Sequence, residues 1–276
     1  MKDGAKMKKQ LNEVFNLLDK WKELPAYKLE PRVDIFFGYY LPDIMEKHFG
    51  IKPDYIDKHK HIIPEFPLRD TNQTYRSKKV DFAVIGCKTA YLVELKTTNE
   101  SIGIKQAGYL KLAYDKEYFK LLVEEVYDIR YSPKSDPKHR KLIERLYNVP
   151  EIGRVPFEKD DKNSFCEILP LLRCGSLKEE SLDIIKRNIG INPSRKIEIV
   201  YILPIIPEEY RQDKNENQES ITIGNLTAKV ITFEKIRGYL TGKDLLSMRF
   251  RKLLRALEEE ERMKEDKSKK KKANKT

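Results

Sequence analysis

Two apolar runs, VDFAVIG (80–86) and AYLVELKTT (90–98), carry three charges where buried strands would be expected to carry none: Asp81, Glu94 and Lys96. Both runs are rich in β-branched and aromatic residues and are joined through a glycine, so they read as consecutive strands. Side chains alternate between the faces of a strand, so Glu94 and Lys96 share a face with Leu92, while Tyr91, Val93 and Leu95 point the other way. Asp81 is flanked in the same manner by Val80 and Phe82. Twelve residues separate Asp81 from Glu94, enough to finish one strand, turn and bring the second back alongside it.

Charges on an apolar sheet are costly, because removing each ion from water amounts to roughly several kcal/mol even after relaxation. Something has to compensate them. One solution is an internal ion pair of Asp81 or Glu94 with Lys96 at a strand end. The other is a bound cation: two hard carboxylate oxygens in a partly open site suit Mg²⁺ or Mn²⁺, which keep waters and accept a phosphate oxygen. A lysine beside them can orient or deprotonate a water, or neutralise charge on a phosphate, whereas arginine stays protonated and would serve the proton transfer poorly.

The surroundings of the two strands have their own pattern. Residues 8–23 set Leu11, Val14, Phe15, Leu18 and Trp21 on one helical face. LEPRVDIFFGYYLPDIMEKHFG then predicts a second helix through Val33, Phe36, Phe37, Tyr40 and Ile44, which Pro42 must kink or restart and Gly50 ends. IIPEFPLRD precedes the two charged strands as a third, giving an antiparallel meander. After them, Ile104, Ala107, Leu110, Tyr114, Tyr118, Leu121 and Leu122 space out one long helix packed on the sheet. Residues 131–195 read as an elaboration with two helices, PKHRKLIERLYNV and LKEESLDIIKRNIG. KIEIVYILPII (196–206) is almost continuously apolar, as for a strand buried on both faces. ITIGNLTAKVITFEKI supplies two edge strands and KDLLSMRFRKLLRALEEEERM a closing amphipathic helix. With no repeat or Gly/Ser linker, residues 1–263 read as a single domain.

The 276 residues carry a formal charge of +11, a surface that favours polyanions such as nucleic acid. The stretch 264–276, with seven lysines against two acids, is expected to be a disordered arm, either binding phosphates non-specifically or merely solubilising. Three cysteines without a CxxC argue against a disulfide framework and against a four-cysteine metal site, and fit a reducing, cytoplasmic setting. No apolar run approaches the length of a membrane span, and the N-terminal residues lack a signal-peptide core.

The charged strands, D81 followed by E94-L-K96, with a helix before and a helix after, resemble the PD-(D/E)xK superfamily of restriction-endonuclease-like nucleases over residues 30–126 and the strand near 200. Val80 stands where the motif usually has proline. The resemblance implies an α/β fold with an αβββαβ core, a mixed central sheet flanked by helices, and here a helical insertion before the last core strand. It implies a Mg²⁺- or Mn²⁺-dependent hydrolase acting on the phosphodiester bonds of DNA, with Asp81 and Glu94 holding the metal, the backbone carbonyl of Leu95 completing the coordination and Lys96 positioning the attacking water. Many members add a carboxylate from the first core helix; Glu30 is the preferred candidate, with Asp34 four residues on and Glu46 further along. Gln106 on the following helix matches the glutamine of several branches, where it would contact a phosphate or hold Lys96, but the tyrosine that belongs at i+4 stands at i+3, as Tyr109. Lys105 could meet backbone phosphates. The bland readings are a helix-start acid for Glu30 and a solvent-facing helix residue for Gln106.

The alternative is a nuclease-like module that has lost catalysis and binds nucleic acid or mediates assembly. His59 and His61 in HKH read equally as a metal pair or a polar loop, and no Gly-rich phosphate loop or Ser/His/Asp arrangement is legible. The sequence leaves the oligomeric state open, a homodimer included.

Overall fold

The computed structural model describes residues 11–17, 29–51, 61–69, 77–86, 88–128, 142, 145–146, 195–211 and 219–273. Of the two helices expected within 131–195, only residues 142, 145 and 146 of the first are described, and they are helical; the second lies outside the described residues, as do His59 and all three cysteines. The described elements are α1 (11–17), α2 (Glu30–Phe49), β1 (Ile62–Arg69), β2 (Ser77–Ile85), β3 (Thr89–Leu95), α3 (Ile104–Tyr114), α4 (Phe119–Asp128), β4 (Lys196–Leu203), β5 (Ser220–Ile223), β6 (Leu226–Thr232), α5 (Phe233–Tyr239) and α6 (Leu245–Ala273). They make an α/β protein with a mixed six-stranded open sheet, order β1-β2-β3-β4-β6-β5, and flanking helices. The chain packs as two compact units: Met1–Ile51, Glu94–Ala107 and Val200–Thr276 form the first, Lys52–Val93 and Gly108–Ile199 the second.

In the second unit the meander is antiparallel, as the three consecutive β-rich runs predict. β1 pairs with β2 from Ile62↔Val84 to Arg69↔Ser77, and β2 with β3 from Phe82↔Val93 to Ile85↔Ala90. The Gly86 N–H donates to the Thr89 carbonyl at 2.9 Å and closes the turn between them. Phe66 of β1 meets Phe119 of α4 at 5.5 Å between ring centres, both fully buried beside Leu122, Val123 and Val126. The single long helix expected after β3 is instead two, α3 and α4. Glu117 has φ +64°, a left-handed conformation that ends a helix, and Tyr118 forms an isolated bridge with Lys196 while the Phe119 N–H donates to the Arg195 carbonyl at 2.9 Å. Bonds to the start of β4 therefore replace the helical ones that the apolar spacing alone would favour.

In the first unit Pro31 occupies the first turn of α2, where its missing N–H is no loss, and Gly50 at φ +67° caps the other end, donating to the Glu46 carbonyl. Contrary to the expected break, α2 runs through Pro42 without interruption. Pro42 is buried with Leu41, Ile44 and Met45, and burial of that face offsets the one hydrogen bond proline cannot donate. An aromatic ridge fills the core: Phe250 of α6 lies 5.0 Å from Phe37 and 5.3 Å from Tyr40, and Phe15 of α1 lies 5.0 Å from Phe36. β4 pairs in parallel with β6 from Val200↔Lys229 to Leu203↔Thr232, and the β5–β6 hairpin turns at Gly224, φ +57°. β6 is thus an interior strand, not the edge strand its half-polar sequence suggests; only β5 of that pair is at the edge.

α6 continues through Ala273, so residues 264–273, expected to be disordered, are helical. Extending a formed helix costs little in lysine- and glutamate-rich sequence. Side chains also anchor it: Arg211 pairs with Glu265 at 3.0 Å, Lys269 with Glu208 at 3.4 Å and Lys264 with Glu261 at 2.6 Å. At its start Asp244 is the N-cap, accepting from the Ser247 N–H at 2.9 Å and the Ser247 hydroxyl at 2.5 Å. The hydroxyl and amide of Ser247 hold the Asp244 carboxyl below its ordinary value. A depressed carboxyl stabilises the fold above its unfolded pKa and ceases to do so as pH falls through the folded one. Asp244→Ala should therefore cost about 1 kcal/mol at neutral pH, and urea titrations of both proteins should show the difference shrinking below about pH 4.

Candidate active site

β3 ends at Leu95, and the Lys96 N–H donates to the Ile202 carbonyl of β4 at 2.9 Å, which fixes the backbone on which Glu94 and Lys96 stand. Glu94 is 0% and Lys96 5% exposed. The Lys96 ammonium lies 3.3 Å from Glu94 Oε2 and 3.8 Å from Glu30 Oε1. Gln106, in the first turn of α3, donates from Nε2 to the same Glu94 Oε2 at 2.6 Å. Three elements thus converge: a strand end, the start of α2 and the start of α3. Glu30, with a side chain 32% exposed, is the member that opens to solvent.

The first-helix acid in this cluster is Glu30. Asp34 accepts from the Ile35 N–H, Glu46 is exposed near the end of α2, and Lys105 is exposed beside Gln106. Leu95 is fully buried between the two charged residues. Asp81 is carried by β2 in the second unit, half-buried between Val80 and Phe82. The register on either side, Pro64↔Phe82 and Phe66↔Val80, sets it across from Glu65, whose φ of +53° is rare for a residue with a side chain. The Glu65 carboxylate pairs with Lys79 at 2.7 Å.

Glu261 is a residue that the sequence reading misses. It is 3% exposed, and its Oε2 accepts from the Asn99 N–H at 3.0 Å, tying α6 to the Asn99–Ser101 turn that delivers α3 and hence Gln106. The same carboxylate, through its other oxygen, raises the Lys264 ammonium above its ordinary value against the opposing effect of burial. The signal lay in the spacing: Phe250, Leu254, Leu257 and Glu261 recur at helical intervals, so the buried stripe runs on into the acidic run LEEEE.

Comparison with family models, with curated proteins and with solved structures finds no match for the chain. The arrangement must speak for its own chemistry. Among the described residues no group of three or more His, Cys, Asp or Glu side chains is gathered as a metal cage. Glu30 and Glu94 nonetheless offer hard oxygens of the kind Mg²⁺ and Mn²⁺ take, and Mg²⁺ commonly binds through only one or two carboxylates, completing its shell with water and substrate phosphate. The donor set therefore fits such an ion. Among the described residues no helix is long and apolar enough to cross a membrane.

Proposed function

We propose that the chain is a metal-dependent nuclease that hydrolyses phosphodiester bonds in DNA. The observation that carries the reading is the buried Glu94–Lys96 pair at the end of β3, met by Glu30 and Gln106 from two helices. A fold that needed only a neutral core would not bury a lysine among two carboxylates and an amide, since desolvation makes such groups costly. The order helix, three antiparallel strands, helix, strand also agrees with the core that the sequence resemblance implies. Asp81 enters the proposal through the sequence motif.

In this reading Glu94 and Glu30 supply metal-binding oxygens and the Leu95 carbonyl adds another, while Asp81 is a metal ligand by the sequence motif alone. Gln106 holds the Glu94 carboxylate in one orientation. Lys96 presents a donor and a positive charge where an attacking water or a phosphoryl oxygen would sit. When bound, Mg²⁺ or Mn²⁺ supplies charge neutralisation on the phosphate and a more acidic water. The net charge of +11 favours the polyanionic substrate.

A second reading has its own observation. Lys96 and Gln106 both bond Glu94, so protein groups compensate its charge, as in a nuclease-like module that binds nucleic acid or mediates assembly without cutting. Incubation of plasmid and of linear single- and double-stranded DNA with Mg²⁺, Mn²⁺ or EDTA separates the two. The nuclease reading expects metal-dependent cleavage that falls about 10²-fold or more in folded Asp81→Asn and Lys96→Ala. DNA binding without cleavage under all these conditions favours the module; cleavage unchanged in both variants overturns the site.

A further inference from the structure

Away from the carboxylate–lysine cluster, α5 and α6 flank a solvent-open cavity of ≈ 600 Å³. It is lined by Arg237 and Gly238 of α5 and by Met248, Arg251, Lys252 and Arg255 of α6, with Glu234 as the one acidic member. The α6 residues follow the spacing i, i+3, i+4, i+7 and so form one stripe of the helix, which turns three cations toward the same space.

These cations differ in how they are held. The Arg251 guanidinium donates to the Gly242 carbonyl at 2.8 Å and also to that of Leu240, so its position is fixed while its charge is not neutralised by either. Arg237 pairs with buried Glu258 at 2.6 Å and is held against the helix. Lys252 and Arg255 are exposed, and among the described residues neither has an ion pair or hydrogen bond. A cavity with two anchored arginines and two cations without partners is organised to receive negative charge. The space beside Gly238 is open: a Cβ there would meet nothing within 4 Å.

We propose that this cavity is a phosphate-binding site, taking neighbouring phosphoryl groups of a polyanion through Arg251, Lys252 and Arg255. Planar guanidinium groups match phosphate oxygens in pairs, and lysine adds a mobile charge. The same chemistry is offered by the backbone of a nucleic-acid strand and by a free nucleoside polyphosphate. The site does not depend on whether Glu94 and Lys96 catalyse anything.

Binding measured in EDTA keeps the two questions apart. Fluorescence anisotropy with labelled single- and double-stranded DNA, and calorimetry with ATP and tripolyphosphate, would be run on the full chain, on Lys252→Glu/Arg255→Glu, and on Lys88→Glu/Lys120→Glu, which makes the same charge change on lysines outside the cavity. Melting curves confirm that each is folded. The expected result is a loss of affinity of about tenfold or more in the cavity variant only, with the salt dependence of strand binding reduced by about two units of slope. A loss confined to DNA assigns the site to a strand; a loss shared by ATP and tripolyphosphate assigns it to a compact polyphosphate. Equal losses in both double variants, unchanged binding in the cavity variant, or no binding of any probe by the parent protein at low salt would overturn the proposal. Failure of the nuclease reading shows instead as absent cleavage with this pattern of binding intact.

Discussion

Lys96→Met should lower the free energy of unfolding by about 3–5 kcal/mol, among the largest effects expected in this protein. The side chain is 6% exposed and faces Glu94 at 1%, so the substitution removes the nearest compensating charge from a carboxylate with almost no access to water. Gln106 still donates to Glu94, but an amide dipole does not replace an ammonium. Restoring balance should restore stability: Glu94→Leu combined with Lys96→Met leaves no ion to desolvate and should recover most of the loss, as replacement of buried ion pairs by apolar groups commonly does. Denaturant titrations of both proteins decide it. A single substitution costing under about 1 kcal/mol would mean that the pair behaves as a solvated one. The folded double variant is also the cleanest preparation in which to ask whether DNA cleavage needs these two side chains.

Phe250→Ala should cost about 3–5 kcal/mol for a different reason. Phe250 is fully buried, and its ring stands 5.0 Å from Phe37 in an edge contact, 5.3 Å from Tyr40 in a stacked one and 6.3 Å from Phe36. Its loss leaves a cavity lined by rings too stiff to collapse into it, and forfeits the aromatic contacts as well. Phe250→Leu, which keeps much of the volume, should cost less than about 2 kcal/mol. Equal losses for the two substitutions, read from denaturation midpoints at unchanged slope, would show that retained apolar volume does not help and that the ring contacts themselves carry the effect.

The sheet was legible in the sequence where alternation and composition agree. The runs around Asp81 and Glu94 read as neighbouring antiparallel strands because both are rich in β-branched and aromatic residues and a glycine divides them. Glu94 and Lys96 were legible as candidates because a charge in an apolar strand is conspicuous, Glu30 and Gln106 only through the family resemblance, and the structure gathers those four. The division of α3 from α4 was not, because Tyr118, Leu121 and Leu122 continue the helical spacing across it; what ends the helix is backbone pairing with residues near 195, remote in the chain. Pro42 misled in the opposite direction, since its local rule yields to burial on the helix that carries it. Glu261 was hidden inside a run of four glutamates, and only the phase of the stripe that begins at Phe250 separates the buried pair, Glu258 and Glu261, from Glu259 and Glu260.

The length of α6 carries a consequence for how its basic end meets other molecules. Twenty-nine helical residues extend about 43 Å at 1.5 Å per residue. The lysines from Lys264 to Lys271 are therefore mounted on a rod rather than a tether. A tether sweeps a volume and finds any anion within reach, whereas a rod offers its charges at fixed angles and meets a surface along one side only. Shortening it from the C-terminal end removes charge and reach together, in steps of one helical turn, while the half anchored on Phe250, Leu254 and Leu257 keeps its place in the core.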